Sequence, residues 1–107
     1  MWAQTIIMAI RKKFLKSKPL CKVSFDFSAN RIAGEAKKVE VLGDFNDWSP
    51  IPLRKVKGDF TRTVDLETGK EYQFRYRING DLWENDEAAD AYVNNGISGD
   101  NSVIRLN

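Results

Sequence analysis

Apolar and polar residues alternate one by one through several short segments of this chain. In residues 21–27 the apolar side chains occupy every second position, which predicts a half-buried strand with one face toward a core. The same period of two predicts strands over residues 39–43, 60–66, 72–78 and 101–106. Turn signals containing glycine separate them at residues 33–34, 57–59, 68–70 and 79–80. Short strands with this punctuation predict an all-β fold, an immunoglobulin-like antiparallel β-sandwich over residues 21–107.

The first 20 residues follow a different pattern. Apolar side chains spaced four apart, as on one face of a helix, are Trp2, Ile6, Ile10 and Phe14. One interpretation is a basic amphipathic helix over residues 2–16, suited to a membrane surface or a partner protein. The other is a loosely ordered leader with Met8 as the starting residue. We favour the second because chain termini are often poorly ordered, and we expect residues 1–20 to be a basic leader outside the domain.

The loop at residues 79–81 decides how the strand over residues 72–78 pairs with the segment that follows it. A two-residue turn would pair Ile78 with Asp81 and so place a charge opposite a core residue. A loop of three residues would instead pair Ile78 with Leu82. We therefore predict the longer loop, with Ile78 and Leu82 both buried.

The same register determines on which face Trp83 lies. In the longer loop Trp83 pairs with Arg77 and is diagonal to Arg75. Side chains on neighbouring strands at these positions point the same way. We expect Trp83 to stand on the more exposed face, together with the two arginines.

The residue types exclude several classes of function. The chain has 107 residues, no histidine and one cysteine, Cys21. It therefore lacks the commonest general base and metal ligand, and it can form no internal disulfide. No apolar stretch is long enough to span a bilayer, and the basic residues follow the apolar residues 2–10 instead of preceding them as in a signal peptide. We expect no catalytic residue, no metal, no cofactor and a cytoplasmic location.

The net charge of +2 conceals an uneven distribution along the chain. Residues 1–22 hold six basic residues and no acidic one. Only 11 basic residues remain to face all 15 acidic residues in positions 23–107, so the body of the chain is acidic. An acidic body is unfavourable for a polyanion, and we expect nucleic acid not to be a partner.

Three separated segments combine aromatic and polar residues: VEVLGDFNDWSP at 39–50, YQFRYRINGDLWEND at 72–86 and NNGISGDNSVI at 94–104. Together they resemble the family-48 carbohydrate-binding modules. These include the glycogen-binding domain of AMP-activated kinase beta subunits and the N-terminal early-set module of isoamylases and branching enzymes. The resemblance covers residues 37–106, and the strand from residue 21 fits the opening strand of the same sandwich. It implies non-catalytic binding of an α-glucan such as glycogen, starch or a maltooligosaccharide.

The resemblance also implies which residues bind the sugar. The two stacking tryptophans of the family fall on Trp48 and Trp83, its basic hairpin residue on Arg75, its asparagine on Asn101 and an apolar loop residue on Ile97. The hairpin here has one more residue before Trp83 than the family pattern. An indole can lie flat against the C–H face of glucose, while the amide and the guanidinium can bond its hydroxyl groups.

These residues also have plainer interpretations. Trp48 and Trp83 could cap the sandwich core, as large aromatic residues often do. Arg75 could form a surface ion pair with an acid on the neighbouring strand. The acidic residues within 84–90 could be paired catalytic carboxylates, but we expect a solvated loop there because nothing predicts a deep cleft.

Three classes of function follow. Non-catalytic α-glucan binding leads, with a protein of glycogen metabolism as a further partner. The second is an accessory role in a glycoside hydrolase or branching enzyme system, although this chain has no room for a catalytic barrel of about 250 residues. The third is a protein-interaction sandwich without sugar binding, in which the basic leader docks an acidic partner.

Overall fold

The computed structural model describes residues 10–97 and 99–107, so Trp2, Ile6 and Met8 lie outside the described residues. The described strands are β1 Arg11–Phe14, β2 Leu20–Ser28, β3 Val39–Gly43, β4 Ile51–Pro52, β5 Arg54–Val56, β6 Asp59–Glu67, β7 Glu71–Ile78, β8 Leu82–Glu84, β9 Ala91–Asn94 and β10 Asp100–Arg105. Short 3-10 turns at Ala29–Arg31 and Asp44–Asn46 follow β2 and β3.

The strands form two antiparallel sheets. One sheet has four strands in the order β1-β2-β6-β5, and the other has six, in the order β4-β3-β7-β10-β9 with β8 paired to β7. The predicted all-β sandwich is therefore confirmed, and the alternation correctly predicted β2, β3, β6, β7 and β10. Strands β1, β4, β5 and β9 were not predicted. Within the described residues, no helix has the length and apolar character needed to cross a membrane.

Aromatic rings join the two sheets across the core. Phe25 of β2 meets Phe74 of β7 with ring centroids 5.0 Å apart, and Phe27 meets Tyr76 at 5.4 Å. All four rings are fully buried. Tilted and edge-to-face pairs of this kind stabilise a core beyond the area they bury, by about 0.5–1.5 kcal/mol each. The faces of β2 and β7 that the alternation predicted to be apolar are therefore the two halves of one core.

Strand β1 belongs to the segment that we expected to be a leader. It pairs antiparallel with β2, from Arg11 opposite Ser24 to Phe14 opposite Cys21. The helical interpretation of residues 2–16 is therefore wrong for Arg11–Phe14. A spacing of four indicates a helix only if these apolar side chains share one buried face. Phe14 is instead about half exposed on an edge strand, so the spacing was misleading there.

Two side chains of β1 attach it to the rest of the sandwich. The Arg11 guanidinium donates two hydrogen bonds, of 3.0 and 3.1 Å, to the buried carboxylate of Asp26 in the same sheet. Lys12 crosses to the other sheet, where its Nζ lies 2.6 Å from Asp90 Oδ2 and 3.0 Å from the Arg105 carbonyl oxygen. Arg11 and Lys12 therefore have structural partners within the fold.

The β7–β8 hairpin has the predicted three-residue loop. Ile78 pairs with Leu82, and Arg77 pairs with Trp83. Ile78 is fully buried, but the prediction that Leu82 is buried is wrong, since 41% of it is exposed. Strand β8 has only three residues and pairs with β7 alone, so the core does not extend over Leu82. Trp83 is 39% exposed on the opposite face, as the register predicted.

The end of β3 approaches its neighbours so closely that only glycine fits at position 43. A Cβ atom on Gly43 would lie 2.3 Å from Cε2 of Phe45 and 2.9 Å from the Gln73 carbonyl oxygen. The Phe45 ring packs against Phe25 and Tyr72, with centroids 5.8 and 6.2 Å away. The ring cannot move aside without disturbing the core.

We predict that Gly43→Ala lowers the free energy of unfolding by about 1–3 kcal/mol, the usual range for overpacking. Urea denaturation followed by tryptophan fluorescence measures this change. The matched control is Gly34→Ala, because nothing lies within 4 Å of a Cβ atom at Gly34. The control should stay within about 0.5 kcal/mol of the parent. Equal stability of the two variants would contradict the close approach at Gly43.

Candidate functional site

Alternation along β7 creates a polar outer face on the six-stranded sheet. The inward side chains of this strand are buried: Tyr72, Phe74, Tyr76 and Ile78. Successive residues of a strand point to opposite faces. The intervening residues Gln73, Arg75 and Arg77 therefore project outward and are partly exposed.

Trp83 lies beside two guanidinium groups on this face. It pairs directly with Arg77 across the β7–β8 hairpin. Its ring centroid is 5.5 Å from the Arg75 guanidinium carbon and 5.6 Å from that of Arg77. Both distances fall within the range of attractive cation–π contacts. The two arginines thus hold an exposed indole in place on the sheet.

Arg77 forms an ion pair on this face. Its guanidinium donates to Oε1 of Glu40 from Nε at 3.1 Å and from Nη2 at 2.9 Å. Glu40 lies opposite Arg77 on β3 and is only 6% exposed. Arg77 therefore forms a cross-strand ion pair with an acid on β3, of the kind that we weighed for Arg75.

Trp48 lies in the turn that leaves β3. Its backbone N–H donates to the Gly43 carbonyl at 2.7 Å, which closes the turn. Asp47 and Trp48 both have left-handed backbone angles, with φ of 59° and 60°. Such angles are unfavourable for bulky residues, and they are typically found at functional sites. Trp48 is half-buried, so the core does not enclose it.

Asn101 is on the same outer face but is mostly buried, with 7% of it exposed. Its Oδ1 accepts a hydrogen bond from Asn95 Nδ2 at 3.2 Å, and its Nδ2 donates to Gln73 Oε1 at 3.0 Å. Asn101 therefore joins β7 to the loop between β9 and β10.

Ile97 lies in the β9–β10 loop and is 94% exposed. Its backbone N–H donates to Asn95 Oδ1 at 2.8 Å, and the Asn95 N–H donates to the Gly99 carbonyl at 2.8 Å. These bonds tie the loop to itself. An apolar side chain this exposed makes no contribution to the core.

Register and hydrogen bonds bring some of the expected site residues together. Arg75 and Trp83 are in contact, and the Ile97 loop is joined to Asn101 through Asn95. No ring contact links Trp48 to Trp83 in the residues that the structure describes. Nor do three or more acidic or cysteine side chains cluster there in a way that could hold a metal ion.

Sequence reasoning missed Gln73 as a member of this face. Its side chain bonds Asn101, and its backbone N–H donates to Asp44 Oδ1 at 3.1 Å in the turn that carries Trp48. The signal was present in the alternation, because Gln73 has the same parity as Arg75. Alternation alone does not distinguish a functional polar residue from any other polar residue on an exposed strand face.

Asp86 corrects the expectation of a solvated acidic loop after Trp83. It is only 1% exposed, and its Oδ2 accepts a 2.7 Å hydrogen bond from the buried Tyr76 hydroxyl. Its Oδ1 accepts from the Ala88 N–H at 2.8 Å, and its own N–H donates to Ser102 Oγ at 2.9 Å. Burial raises the pKa of Asp86 above its ordinary value of 3.8, against the opposing effect of these hydrogen bonds. Asp86 thus anchors the connection that leaves β8.

We predict opposite pH dependences of stability at two acidic residues of this connection. A pKa raised by folding means that the folded state binds the proton more tightly, so the stability that Asp86 contributes is lost as pH rises above about 4. The stability of the parent relative to Asp86→Asn should therefore fall between about pH 4 and pH 7. Urea denaturation at several pH values measures the difference.

Asp90 supplies the matched control. Desolvation raises the pKa of Asp90, but hydrogen bonds from the Arg105 N–H and the Lys12 ammonium outweigh it, and the pKa is lowered. Stability contributed by a lowered carboxyl is present above its ordinary pKa and lost as pH falls. Relative to Asp90→Asn, the parent should gain stability as pH rises. Slopes of the same sign at both positions would contradict the assignment.

Comparisons with known proteins show the family of this chain. Residues 31–104 match the family model described as the glycogen recognition site of AMP-activated protein kinase. Over 76 residues, which are 71% of this chain, it is 30% identical to 5'-AMP-activated protein kinase subunit beta-1 of Homo sapiens and 32% identical to that of Bos taurus. The aligned part spans 27% of each of those two relatives and 60% of the 30% identical Sus scrofa sequence. The chain therefore belongs to the family of glycogen recognition sites of AMP-activated protein kinase.

Proposed function

We propose that this chain binds α-linked glucan, such as glycogen, starch or a maltooligosaccharide, on the outer face of the six-stranded sheet and does not alter it chemically. The observation that carries the proposal is the exposed indole of Trp83, in contact with Arg75 and Arg77 on a strand face of a glycogen-recognition family member. The relatives of this chain are named as kinase subunits, of which it covers only part. Kinase-related activity is therefore not proposed for it.

Stacking on tryptophan provides the affinity in this proposal. A glucose ring has an apolar C–H face that matches an indole in shape, and removing both from water is favourable. Trp83 presents its ring on the sheet, and Trp48 is held in a turn by an unfavourable backbone conformation. Two separated indoles suit a curved glucan, because each can receive a different sugar unit.

Polar and loop residues provide orientation. The Arg75 guanidinium is a planar set of donors that can bond neighbouring hydroxyl oxygens of one sugar. Asn101 retains one amide hydrogen and one lone pair beyond its two bonds within the protein. Ile97 offers an exposed apolar surface beside them that a sugar ring can cover. We propose all three as ligand contacts together with the two tryptophans.

The alternatives have clear tests. If the chain hydrolysed glucan, incubation with glycogen would release reducing ends, and we expect none. If it were a protein-interaction sandwich, a partner of glycogen metabolism would bind while maltooligosaccharides did not. The Arg11 and Lys12 side chains already have acidic partners within the fold, which weakens the idea that these residues dock an acidic protein.

We expect modest affinity for linear maltooligosaccharides. A shallow face leaves much of the ligand in water, so the dissociation constant should lie between micromolar and millimolar. This range corresponds to a binding free energy of about 4 to 8 kcal/mol in magnitude. Isothermal titration calorimetry with maltoheptaose or β-cyclodextrin measures it directly.

Trp48→Ala and Trp83→Ala should each weaken maltoheptaose binding more than tenfold. Loss of an aromatic anchor typically removes about 2 kcal/mol of binding free energy, which corresponds to this factor. Retention on immobilised amylose should be nearly abolished. Far-ultraviolet circular dichroism and urea denaturation establish that each variant is folded.

Phe14→Ala is the matched control, because Phe14 is an exposed aromatic residue on the other sheet. It should bind glucan like the parent. The proposed site is wrong if folded Trp48→Ala and Trp83→Ala variants keep the parent's affinity. The proposed function itself is wrong if the parent ignores glucan.

A further inference from the structure

Three side-chain amides form a continuous chain of hydrogen bonds on the outer face of the six-stranded sheet. Asn95 Nδ2 donates to Asn101 Oδ1 at 3.2 Å, and Asn101 Nδ2 donates to Gln73 Oε1 at 3.0 Å. The chain therefore runs from the β9–β10 loop, across β10, to the edge of β7 that adjoins the Trp48 turn.

A backbone group fixes the direction of this chain. The Ile97 N–H can only donate, and it donates to Asn95 Oδ1 at 2.8 Å. Asn95 must therefore turn its NH₂ group toward Asn101, which must accept with its oxygen and present its own NH₂ to Gln73. The Gln73 oxygen is used in turn. Gln73 keeps both hydrogens of its Nε2 group, along with one lone pair of Oε1.

The backbone of Gln73 is equally constrained. Its N–H donates to Asp44 Oδ1 at 3.1 Å, and its carbonyl oxygen lies where a side chain on Gly43 would collide with it. Both neighbours belong to the segment that carries Trp48. Gln73 is thus the residue at which the Trp48 turn and the Asn101 strand meet, two places before Arg75 on the same face.

We propose that Gln73 is a ligand-binding residue of this face, whose Nε2 donates a hydrogen bond to a hydroxyl oxygen of the bound glucan. Asn101 is its positioning residue and holds the glutamine amide with the NH₂ group outward. This inference rests on the proposed glucan binding. Gln73 is partly exposed whereas Asn101 is 7% exposed, so the glutamine is the member of the pair better placed to meet a ligand.

The amide chain imposes a specific chemical preference. Because both Nε2 hydrogens of Gln73 are turned outward, the matching group on the ligand is one that accepts a hydrogen bond, as a sugar hydroxyl oxygen does. A reversed amide would offer an oxygen there instead. The direction of one hydrogen-bonded chain, set at the Ile97 backbone, therefore determines which atom of Gln73 meets the sugar.

Calorimetric titration with maltoheptaose on three variants tests the proposal. Gln73→Ala should lose about two- to tenfold in affinity, the contribution of a single hydrogen bond. Asn101→Asp keeps the shape but faces Gln73 with oxygen only, so the glutamine must reverse its amide. We expect a comparable loss. The double variant Gln73→Ala/Asn101→Asp should lose less affinity than the product of the two single losses, because part of the effect of Asn101 acts through Gln73.

A measurement on the unmutated protein removes the dependence on variant folding. In ¹⁵N-edited NMR spectra the side-chain NH₂ resonances of Gln73 should shift on adding maltoheptaose and saturate with the calorimetric dissociation constant. Thr63→Ala is the control variant, since Thr63 bonds Ser24 at 2.9 Å on the outer face of the other sheet. Its affinity for maltoheptaose should equal that of the parent.

The possible results separate this inference from the proposed function. Parent binding that depends on Trp83 but is unchanged in Gln73→Ala overturns the role of Gln73 and leaves the glucan site standing. Losses that multiply in the double variant would mean that Asn101 acts only through its own ligand contact and would overturn its positioning role. A parent that does not bind maltoheptaose overturns both proposals together.

Discussion

The burial of two aromatic rings of β7 determines which side chains of this strand form the outer face of the sheet. Phe74 and Tyr76 lie fully inside the sandwich and contact Phe25 and Phe27 of the opposite sheet. Because side chains alternate along a strand, fixing these rings inward forces Gln73, Arg75 and Arg77 outward. A shift of one residue would expose the aromatic rings and bury the charges. The hydrophobic core therefore maintains the polar face.

The sequence predicted those parts of the fold in which burial decides the outcome. The hairpin loop of three residues was predictable because the shorter loop would have placed Asp81 opposite Ile78. The prediction that Leu82 is buried was wrong because its exposure depends on where the neighbouring strands end, and the alternation of apolar and polar residues carries no information about that. The burial of Asp86 was not predicted for a related reason. Its partners Tyr76 and Ser102 are remote in sequence, so an acidic run gave no indication that one carboxylate is buried.

For the candidate site, the resemblance supplied a set of proposed residues but no information about the hydrogen bonds among them. The resemblance led to Trp48, Trp83, Arg75, Asn101 and Ile97. It did not indicate that the Asn101 amide is already bonded on both sides, or that Gln73 is one of its partners. Strand β1 was missed because all four of its residues are exposed, which leaves no alternation to detect. Besides its backbone pairing with β2, this strand is attached by ion pairs with Asp26 and Asp90, and partners so distant in sequence are identified only in the folded structure.

The turn after β3 holds the backbone of the site in an unfavourable conformation. A left-handed backbone conformation at a residue as bulky as Trp48 is unfavourable by about 1–3 kcal/mol, and it persists only where the surroundings enforce it. Here those surroundings are the 2.7 Å bond from the Trp48 N–H to Gly43 and the bond from Gln73 to Asp44. A relaxed turn would be more stable locally but would direct the indole elsewhere. The close packing of Gly43 against Phe45 and Gln73 therefore connects the core to the orientation of Trp48. The backbone of Gln73 bonds this turn, and its side chain ends the amide chain. Gln73 therefore links the Trp48 turn and the β9–β10 loop to the buried rings of β7.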